Sequence, residues 1–292
     1  MSFRIAGRVI KVTATTILLT FVALYVLVPV VWLLLSTTKN NSQFFALGAF
    51  TIPSHISLGS NLSHTFNLQS GIFFYWLVNS LIYALIISIG STYLSAMAGY
   101  AMCKLHFLGR KAFSVVVIGS LMVPSAVLVI PLFILEQKLH LTNTYEGVIL
   151  PSLLSAFAIF FMMVYVNEAL PDSLIDAAQV DGAGHWRVFH QIALPLAKPG
   201  LVTLVLISFI AAWNNYFLPL VLLGNQKLFP MTVGLSVWLS TVTSSSAAAG
   251  QSVQYPNIVV GTAISVLPTL LIFPILQRYV ARGITLGAVA GE

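Results

Sequence analysis

The chain has 292 residues, of which 58% are hydrophobic and only 7% are charged, and its formal net charge is +6. A soluble domain carries about 25% charged residues, so this composition excludes an ordinary soluble protein and indicates a membrane protein built as a single bundle. The one cysteine, Cys103, excludes an internal disulfide, and we expect it to pack as a small apolar side chain.

Six apolar stretches have the length and continuity of membrane-spanning helices, each of which needs roughly 20 residues to cross the hydrocarbon core. They are residues 13–36, 76–101, 112–135, 148–167, 199–223 and 256–277. Strands of a membrane barrel would be about 10 residues long with alternating polarity. The sequence therefore predicts an all-α integral membrane protein, with one six-helix domain over residues 1–292. The first stretch resembles a signal peptide, but its length and the lack of a small-residue cleavage site predict a retained helix.

The placement of the basic residues predicts an orientation in the membrane. Ten of the 13 Lys and Arg residues fall on one side of the six-span arrangement, and Lys39, Lys138 and Lys227 fall on the other. The ten are Arg4, Arg8, Lys11, Lys104, Arg110, Lys111, Arg187, Lys198, Arg278 and Arg282. By the positive-inside rule, both termini and the loop 168–198 are cytoplasmic. The same placement argues against nucleic acid as the partner of the positive charge.

Several chemistries find no support in the sequence. No G-x-x-x-x-G-K-[ST] motif is present, so the chain has no P-loop for ATP, and no H-E-x-x-H or Cys/His spacing indicates a metal site. The six histidines fall in loops or at span ends, where solvated or interfacial side chains are common. Because the predicted spans hold no ionisable residue, we expect neither a catalytic residue nor a proton relay in this chain.

The loop 168–198 contains several charged and polar residues in a chain that otherwise avoids charge. Pro171 and Asp172 are typical of a helix start, and Gly182 after Asp181 is typical of a helix end, since glycine reaches left-handed backbone angles cheaply. A second short helix is predicted to end at Leu194–Pro195, because a residue before proline disfavours helical angles. Helical spacing places apolar side chains on one face of each helix: Leu174, Ile175 and Ala178, then Trp186, Phe189, Ile192 and Ala193.

This loop resembles the "EAA loop" of the permeases of ABC importers. The pattern D-A-A-x3-G-x9-I-x-L-P runs from Asp176 to Pro195. Its surroundings, "LPDSLIDAAQVDGAGHWRVFHQIALPLAKP", are similar to carbohydrate-uptake permeases of the maltose-transporter type. The likeness extends through "TNTYEGVILPSLLSAFAIFFMMVYVNEALP" before the loop and "FIAAWNNYFLPLVLL" after it. Asp176 stands where the family usually has Glu, which keeps the charge and shortens the side chain by one methylene.

The resemblance implies a type I importer fold and a set of partners. A dimer of cytoplasmic ATPase subunits would bind the ATP and Mg²⁺, and this chain would bind no cofactor of its own. A second, homologous permease subunit would complete the path, and an extracytoplasmic solute-binding protein would deliver a sugar to it. The location implied is the cytoplasmic membrane of a bacterium or archaeon. Carried over by position, the ATPase-docking residues are Asp176, Ala177, Ala178, Asp181, Gly182, Ile192, Leu194 and Pro195.

The few polar residues within the spans are candidates for a solute path. They include Asn79, with Ser80 beside it, and the run Trp213, Asn214, Asn215 and Tyr216. A membrane-embedded amide needs partners, so these side chains either form interhelical hydrogen bonds or line a path for sugar. Ser91, Ser95 and Gly99 recur every four residues and predict close helix packing.

Alternatives stay open for the outer surface, for the solute and for the class of transporter. Trp238 and Leu239 are expected to be exposed, either in the headgroup belt, where Trp is enriched, or, as the resemblance implies, against the binding protein. The small-residue tract that follows them, within 241–252, is typical of a flexible segment. Glycerol phosphate is a second possible solute, although no span holds a basic residue for it. An ATP-independent channel or secondary carrier is a third function class, and the EAA-like loop argues against it.

Overall fold

The computed structural model describes residues 2–244 and 253–289, and every regular element in these ranges is helical. The helices are α1 (Ser2–Thr37), α2 (Asn41–Ala46), α3 (Leu58–Asn67), α4 (Ile72–Lys104), α5 (Arg110–Ser120), α6 (Ser125–Lys138), α7 (Tyr145–Ser152), α8 (Ala156–Ala169), α9 (Asp172–Val180), α10 (His185–Val188), α11 (Leu194–Leu196), α12 (Lys198–Trp213), α13 (Phe217–Leu222), α14 (Met231–Thr243) and α15 (Tyr255–Val289). A π-helical turn, Phe189–Ala193, joins α10 to α11. Short 3₁₀ turns occupy Leu68–Gly71 and Gln226–Leu228.

Four helical stretches among the described residues are long and apolar enough to cross a membrane. They are Val12–Thr37, Leu58–Lys104, Tyr145–Ala169 and Tyr255–Ile272. Two further candidates are pairs of helices with a bend between them, of 110° between Arg110–Ser120 and Ser125–Lys138 and of 78° between His185–Leu196 and Lys198–Trp213. The chain is therefore an all-α, multi-pass membrane protein, and six spans are reached when each bent pair counts as one.

The stretch 112–135 is not the continuous helix that its apolar sequence suggested. Helix α5 ends at Ser120, and α6 begins at Ser125 after Pro124, whose backbone is extended. A proline restrains the residue before it to extended angles, so Val123 cannot continue the helix. The break turns α6 away from α5 and gives this part of the chain a corner.

The helices form two compact units, one with Met1–Gly71 and Trp238–Ile264 and the other with Ile72–Val237 and Ser265–Glu292. In the first unit, the described side chains of α1 from Val12 to Trp32 are all exposed. An apolar helix without protein cover satisfies its own backbone and suits a hydrocarbon surrounding. Neither the two units nor the exposure of α1 tests the sequence prediction that residues 1–292 form a single domain, which stays a prediction.

The end of α1 is tied to its own unit through Lys39, whose side chain is buried. Its Nζ donates to the carbonyls of Gly48 at 2.8 Å and Ala49 at 3.1 Å. The side-chain amide of Asn61 on α3 donates to the carbonyls of Thr37 and Lys39, both at 2.9 Å. The bond to the Thr37 carbonyl satisfies one of the carbonyls that the end of α1 leaves free, and the two bonds of Asn61 fix α3 against this end.

The core of the second unit is built around α4, which packs on α8 and α12. Gly99 lies against the α8 backbone, because a Cβ added to it would be 2.8 Å from the carbonyl carbon of Met162. Ser91 and Ser95 are buried on the same helix. The prediction that this small-residue stripe serves helix packing is confirmed at Gly99.

Candidate functional site

The first helix of the loop, α9, begins and ends as predicted. Pro171 is its extended N-cap residue, Asp172 lies in its first turn, and Asp181 follows its last turn. Gly182 has a φ of +79°, in the left-handed region that side chains with a Cβ avoid. A Cβ added there would meet nothing within 4 Å, so backbone conformation alone makes glycine necessary at this corner.

The apolar face predicted for α9 is divided. Ile175 and Ala178 are buried in a core cluster with residues of α4, α8 and α10, whereas Leu174 is exposed. Grouping Leu174 with them was therefore wrong, since it projects from a different side of this short helix. Asp176 and Ala177 are exposed, as are Asp181 and Gly182. Of the docking residues assigned to α9 and its corner, these four are therefore open to another protein, and Ala178 is not.

An ion pair with α4 fixes the start of α9. Nothing in the sequence predicted this pair. Lys104 Nζ, on the last residue of α4, lies 2.7 Å from Asp172 Oδ1. The lysine side chain is 4% exposed and the aspartate side chain 80% exposed. The hydrogen bond from Lys104, together with its charge, holds the pKa of Asp172 below its ordinary value. A pair 68 residues apart in sequence becomes visible only in the fold.

The second loop helix does not end at Leu194–Pro195, contrary to the sequence prediction. Leu194 has helical angles (φ −60°, ψ −46°), and α11 continues to Leu196. Proline is tolerated in the first turn of a helical segment, where its missing N–H is not required, and Pro195 occupies such a position. Ile192 and Leu194 pack against the core, and Pro195 is exposed.

Asn79 forms interhelical hydrogen bonds with both ends of its amide. Its Nδ2 donates to the carbonyls of Lys227 at 2.7 Å and Phe229 at 3.1 Å, and its Oδ1 accepts from the Tyr145 hydroxyl at 2.7 Å. The residue is 2% exposed. Beside it, Ser80 Oγ accepts from the Met231 N–H. Asn79 therefore holds α4, α7 and the segment before α14 together. Of the two alternatives raised for this residue, the structure shows interhelical hydrogen bonding.

The four neighbouring candidates at the end of α12 have different surroundings. Trp213 is buried and its Nε1 donates to the Ser265 carbonyl at 3.0 Å. Asn214 is exposed and its Nδ2 donates to the Ile210 carbonyl of its own helix. The hydroxyl of Tyr216 lies 3.0 Å from Ser236 Oγ. These contacts leave Asn215 as the member of the run whose side-chain amide bonds to nothing else among the described residues.

Asn215 lines a cavity of about 430 Å³ between α6, α7, α12 and α13. The lining is mostly apolar with two hydroxyls and one amide, and comprises Ser125, Ala126, Leu128, Val129, Leu132, Pro151, Ser152, Leu154, Ala211, Asn215, Phe217 and Leu218. Small-molecule sites combine such an apolar lining with a few polar groups. The contributions of Ser125 and Ser152 escaped sequence reasoning because the break at Pro124 brings separate segments together.

Trp238 is not exposed, contrary to the sequence prediction. It is 1% exposed, and its Nε1 donates to Gln69 Oε1 at 3.3 Å within the first unit. Helix α14 turns the indole inward and leaves Leu239 exposed beside it. Contact of this pair with a binding protein stays a prediction, and Leu239 is the exposed member of the pair. Of the tract 241–252, the structure describes residues 241–244, and the rest of the tract lies outside the described residues.

The predicted span 112–135 stops one residue short of a buried carboxyl group, that of Glu136. This residue belongs to α6, within the bent pair that reaches Lys138, and it is 3% exposed. Its Oε2 finds no hydrogen-bond partner among the described residues. Lys39, in the other unit, is also buried, and the Lys104 side chain is 4% exposed but paired with Asp172. One isolated carboxyl group does not form a relay, which needs successive acidic or histidine side chains. Among the described residues, no group of three His, Cys, Asp or Glu side chains is suited to hold a metal ion.

A multi-pass helical architecture with a two-helix loop, whose corner exposes Asp176, Ala177 and Gly182, is typical of a transport permease. The chain belongs to the family described as binding-protein-dependent transport system inner membrane component, which matches residues 91–286. The permease protein AraQ of the arabinooligosaccharides transport system of Bacillus subtilis (strain 168) is 33% identical over 279 residues, covering 95% of each chain. The permease protein UgpE of the sn-glycerol-3-phosphate transport system of Yersinia pestis bv. Antiqua (strain Antiqua) is 29% identical over 272 residues, covering 92% of this chain and 94% of its own.

A solved structure has the same fold. It is a chain of a bacterial ABC transporter involved in the import of the acidic polysaccharide alginate, with a TM-score of 0.79 and 25% identity. The match covers 92% of this chain and 96% of that one. The likeness to ABC-importer permeases inferred from the loop is thereby confirmed along nearly the whole chain.

Proposed function

We propose that this chain is the permease subunit of an ATP-driven, binding-protein-dependent importer of a sugar or oligosaccharide. The observation that carries the proposal is the exposed corner formed by Asp176, Ala177, Asp181 and Gly182 on a helix whose opposite side is buried. A surface held this firmly, through Ile175 in the core and Asp172 on Lys104, suits a contact that must transmit force. ATP and Mg²⁺ belong to a partner ATPase dimer that docks at this corner.

The remaining components follow from the same proposal. A second permease subunit completes the solute path, and an extracytoplasmic binding protein delivers the solute. Both termini and the loop 168–198 face the cytoplasm of a bacterium or archaeon, in keeping with the ten basic residues assigned to that side. The single permease domain works by alternating access, which exposes the solute site first to one side of the membrane and then to the other.

The cavity beside Asn215 supports a neutral solute. Its lining contains hydroxyls, one amide and the ring of Phe217, and no charged side chain. Sugars combine apolar ring faces with hydroxyl groups, so they match a surface of this kind. An anionic solute would leave its charge unpaired in the cavity, which is costly in a membrane interior. Glycerol phosphate remains the second candidate because UgpE, 29% identical, carries that substrate in its name.

Reconstitution tests the proposal. The chain is co-expressed with a second permease and an ATPase subunit of the same importer, and the complex is placed in proteoliposomes with its binding protein. We expect uptake of labelled arabinotriose, or of another neutral oligosaccharide, that requires ATP and binding protein, and none of labelled glycerol 3-phosphate. Uptake of glycerol 3-phosphate without uptake of the oligosaccharide would show that glycerol phosphate is the solute. Uptake without ATP would favour a channel or secondary carrier and contradict the proposal.

A further inference from the structure

The second loop helix is joined to α4 by a histidine whose two ring nitrogens both have partners. His190 Nδ1 lies 2.9 Å from the Trp186 carbonyl oxygen, and Nε2 lies 3.0 Å from the Tyr93 hydroxyl on α4. A carbonyl oxygen can only accept, so Nδ1 carries a hydrogen. In the neutral ring, Nε2 therefore accepts from the Tyr93 hydroxyl. The Trp186 ring stacks on the histidine with centroids 5.6 Å apart, which further fixes its orientation.

His190 lies within the π-helical turn. The Leu194 N–H donates to the Phe189 carbonyl, five residues earlier, instead of closing an α-helical turn. Such turns are rare, well under 1% of residues, and they are frequent at functional sites. This one stands between α10 and the 78° bend that leads into α12. A turn with one extra residue can return to α geometry by a shift of one position, so it is a natural joint between the loop and the bundle.

The loop is thus fixed to α4 at two separate levels. Asp172 binds Lys104 at the end of α4, and His190 binds Tyr93 eleven residues earlier, about 16 Å away along the helix axis. Between these levels, Tyr100 packs on Phe189 with ring centroids 5.4 Å apart. The first link holds α9, which carries the exposed corner, and the second holds the joint.

We propose that the Tyr93–His190 hydrogen bond is a positioning contact that makes α4 follow the loop when the loop is displaced. The proposal rests on the proposed function, in which a partner ATPase moves α9. A displacement of α9 reaches the π-helical turn through the shared core of Ile175, Ala178 and Val188. With the hydrogen bond in place, the turn and α4 move together. Without it, the turn can absorb the displacement, and ATP is hydrolysed while less solute is moved.

Tyr93→Phe is the direct test, because it removes one hydroxyl and keeps the ring that contacts Phe189. The complete complex in proteoliposomes gives two rates, arabinotriose uptake and ATP hydrolysis. We expect assembly and ATP hydrolysis to stay near the wild-type level while arabinotriose moved per ATP falls about three- to tenfold, the range that one hydrogen bond commands. Tyr25→Phe is the matched control, since Tyr25 is exposed on α1 and makes no hydrogen bond to the described residues. It should leave the ratio unchanged.

A double-mutant cycle separates this contact from a general loss of packing. His190→Phe should lower the ratio as Tyr93→Phe does, and the double variant should be no worse than either single one. His190→Gln, which retains hydrogen-bonding atoms, should lose less than His190→Phe. Three outcomes would each overturn the coupling role. They are a double variant whose loss is the product of the two single losses, an unchanged ratio of arabinotriose to ATP in Tyr93→Phe, and loss of assembly in Tyr93→Phe. Uptake by the wild-type complex in the absence of ATP would instead overturn the proposed function, on which the coupling role rests.

Discussion

Lys104 and Asp172 join the last residue of α4 to the first turn of α9 through an ion pair of 2.7 Å. The lysine stem is covered by the protein while the carboxylate faces solvent, so the lysine depends on this partner more than the aspartate does. Removal of one member of such a pair leaves the other without compensation, and removal of both is less harmful.

The first prediction follows from that asymmetry. Asp172→Asn should lower the thermal midpoint and transport rate of the complex more than the double variant with Lys104→Met does. Because the folded-state pKa of Asp172 is lowered from 3.8, the ionised form is favoured in the folded protein, and the bridge stabilises fully above about pH 4. Its contribution is lost as pH falls through the lowered pKa. Melting curves between pH 5 and 8 should therefore show a constant difference between wild type and Asp172→Asn, and a difference that changes across this window would contradict the assignment.

Gly182 provides the second prediction, with Gly184 as its control. Gly182→Ala places a Cβ on a residue at φ +79°, which costs roughly 1–2 kcal/mol of backbone strain. Gly184 has an ordinary φ of −71°, and its added Cβ also meets nothing within 4 Å. We expect Gly182→Ala to reduce transport with the subunit still inserted, and Gly184→Ala to have little effect. Gly182→Trp should abolish ATPase docking, as measured by co-purification. Wild-type co-purification of that variant would show that the corner is not a docking element.

The sequence predicted the parts of this structure that depend on local chemistry. The start of α9 at Asp172 and the corner at Gly182 follow from backbone preferences of one or two residues, and both were found. The partners of Asn79 could not be inferred, because they lie between 66 and 150 positions away along the chain. Burial of Trp238 was missed for the same reason, since its partner Gln69 is remote. The cavity beside Asn215 requires the bend at Pro124, and apolar periodicity does not report the direction of a bend.

The third prediction concerns Asn79 as a structural residue. Asn79→Ala leaves the carbonyls of Lys227 and Phe229 and the Tyr145 hydroxyl without their partner, in a buried place. An unsatisfied buried polar group costs about 1–3 kcal/mol, so the thermal midpoint of the purified complex should fall clearly. Asn67→Ala, which removes an exposed amide that bonds within α3, should change it little. A stable Asn79→Ala complex with altered solute preference would return Asn79 to the solute path.

The fourth prediction tests orientation in a variant with Cys103 replaced by serine. Single cysteines are then introduced at Arg187, in the loop, and at Lys227, in the segment before α14. Both positions are exposed in the structure, so neither is protected by burial. The ten basic residues of the proposed cytoplasmic side predict that an impermeant thiol reagent labels position 227, and not 187, in intact cells. Permeabilised cells should label both. Labelling of 187 alone in intact cells would reverse the orientation.

The last prediction separates Asn215 from its neighbour Asn214. Asn215 presents an amide without a partner among the described residues to the 430 Å³ cavity, whereas the exposed Asn214 bonds to the Ile210 carbonyl of its own helix. Loss of a solute hydrogen bond should raise the KM for solute about two- to tenfold in Asn215→Ala, with stability little changed because the side chain makes no hydrogen bond to the described residues. Asn214→Ala should leave KM unchanged. Uptake is measured at saturating binding protein while the solute concentration is varied. Varying the concentration of solute-loaded binding protein instead would mix the docking of that protein with the contact between solute and Asn215. An equal KM for solute in the two variants would remove Asn215 from the solute path.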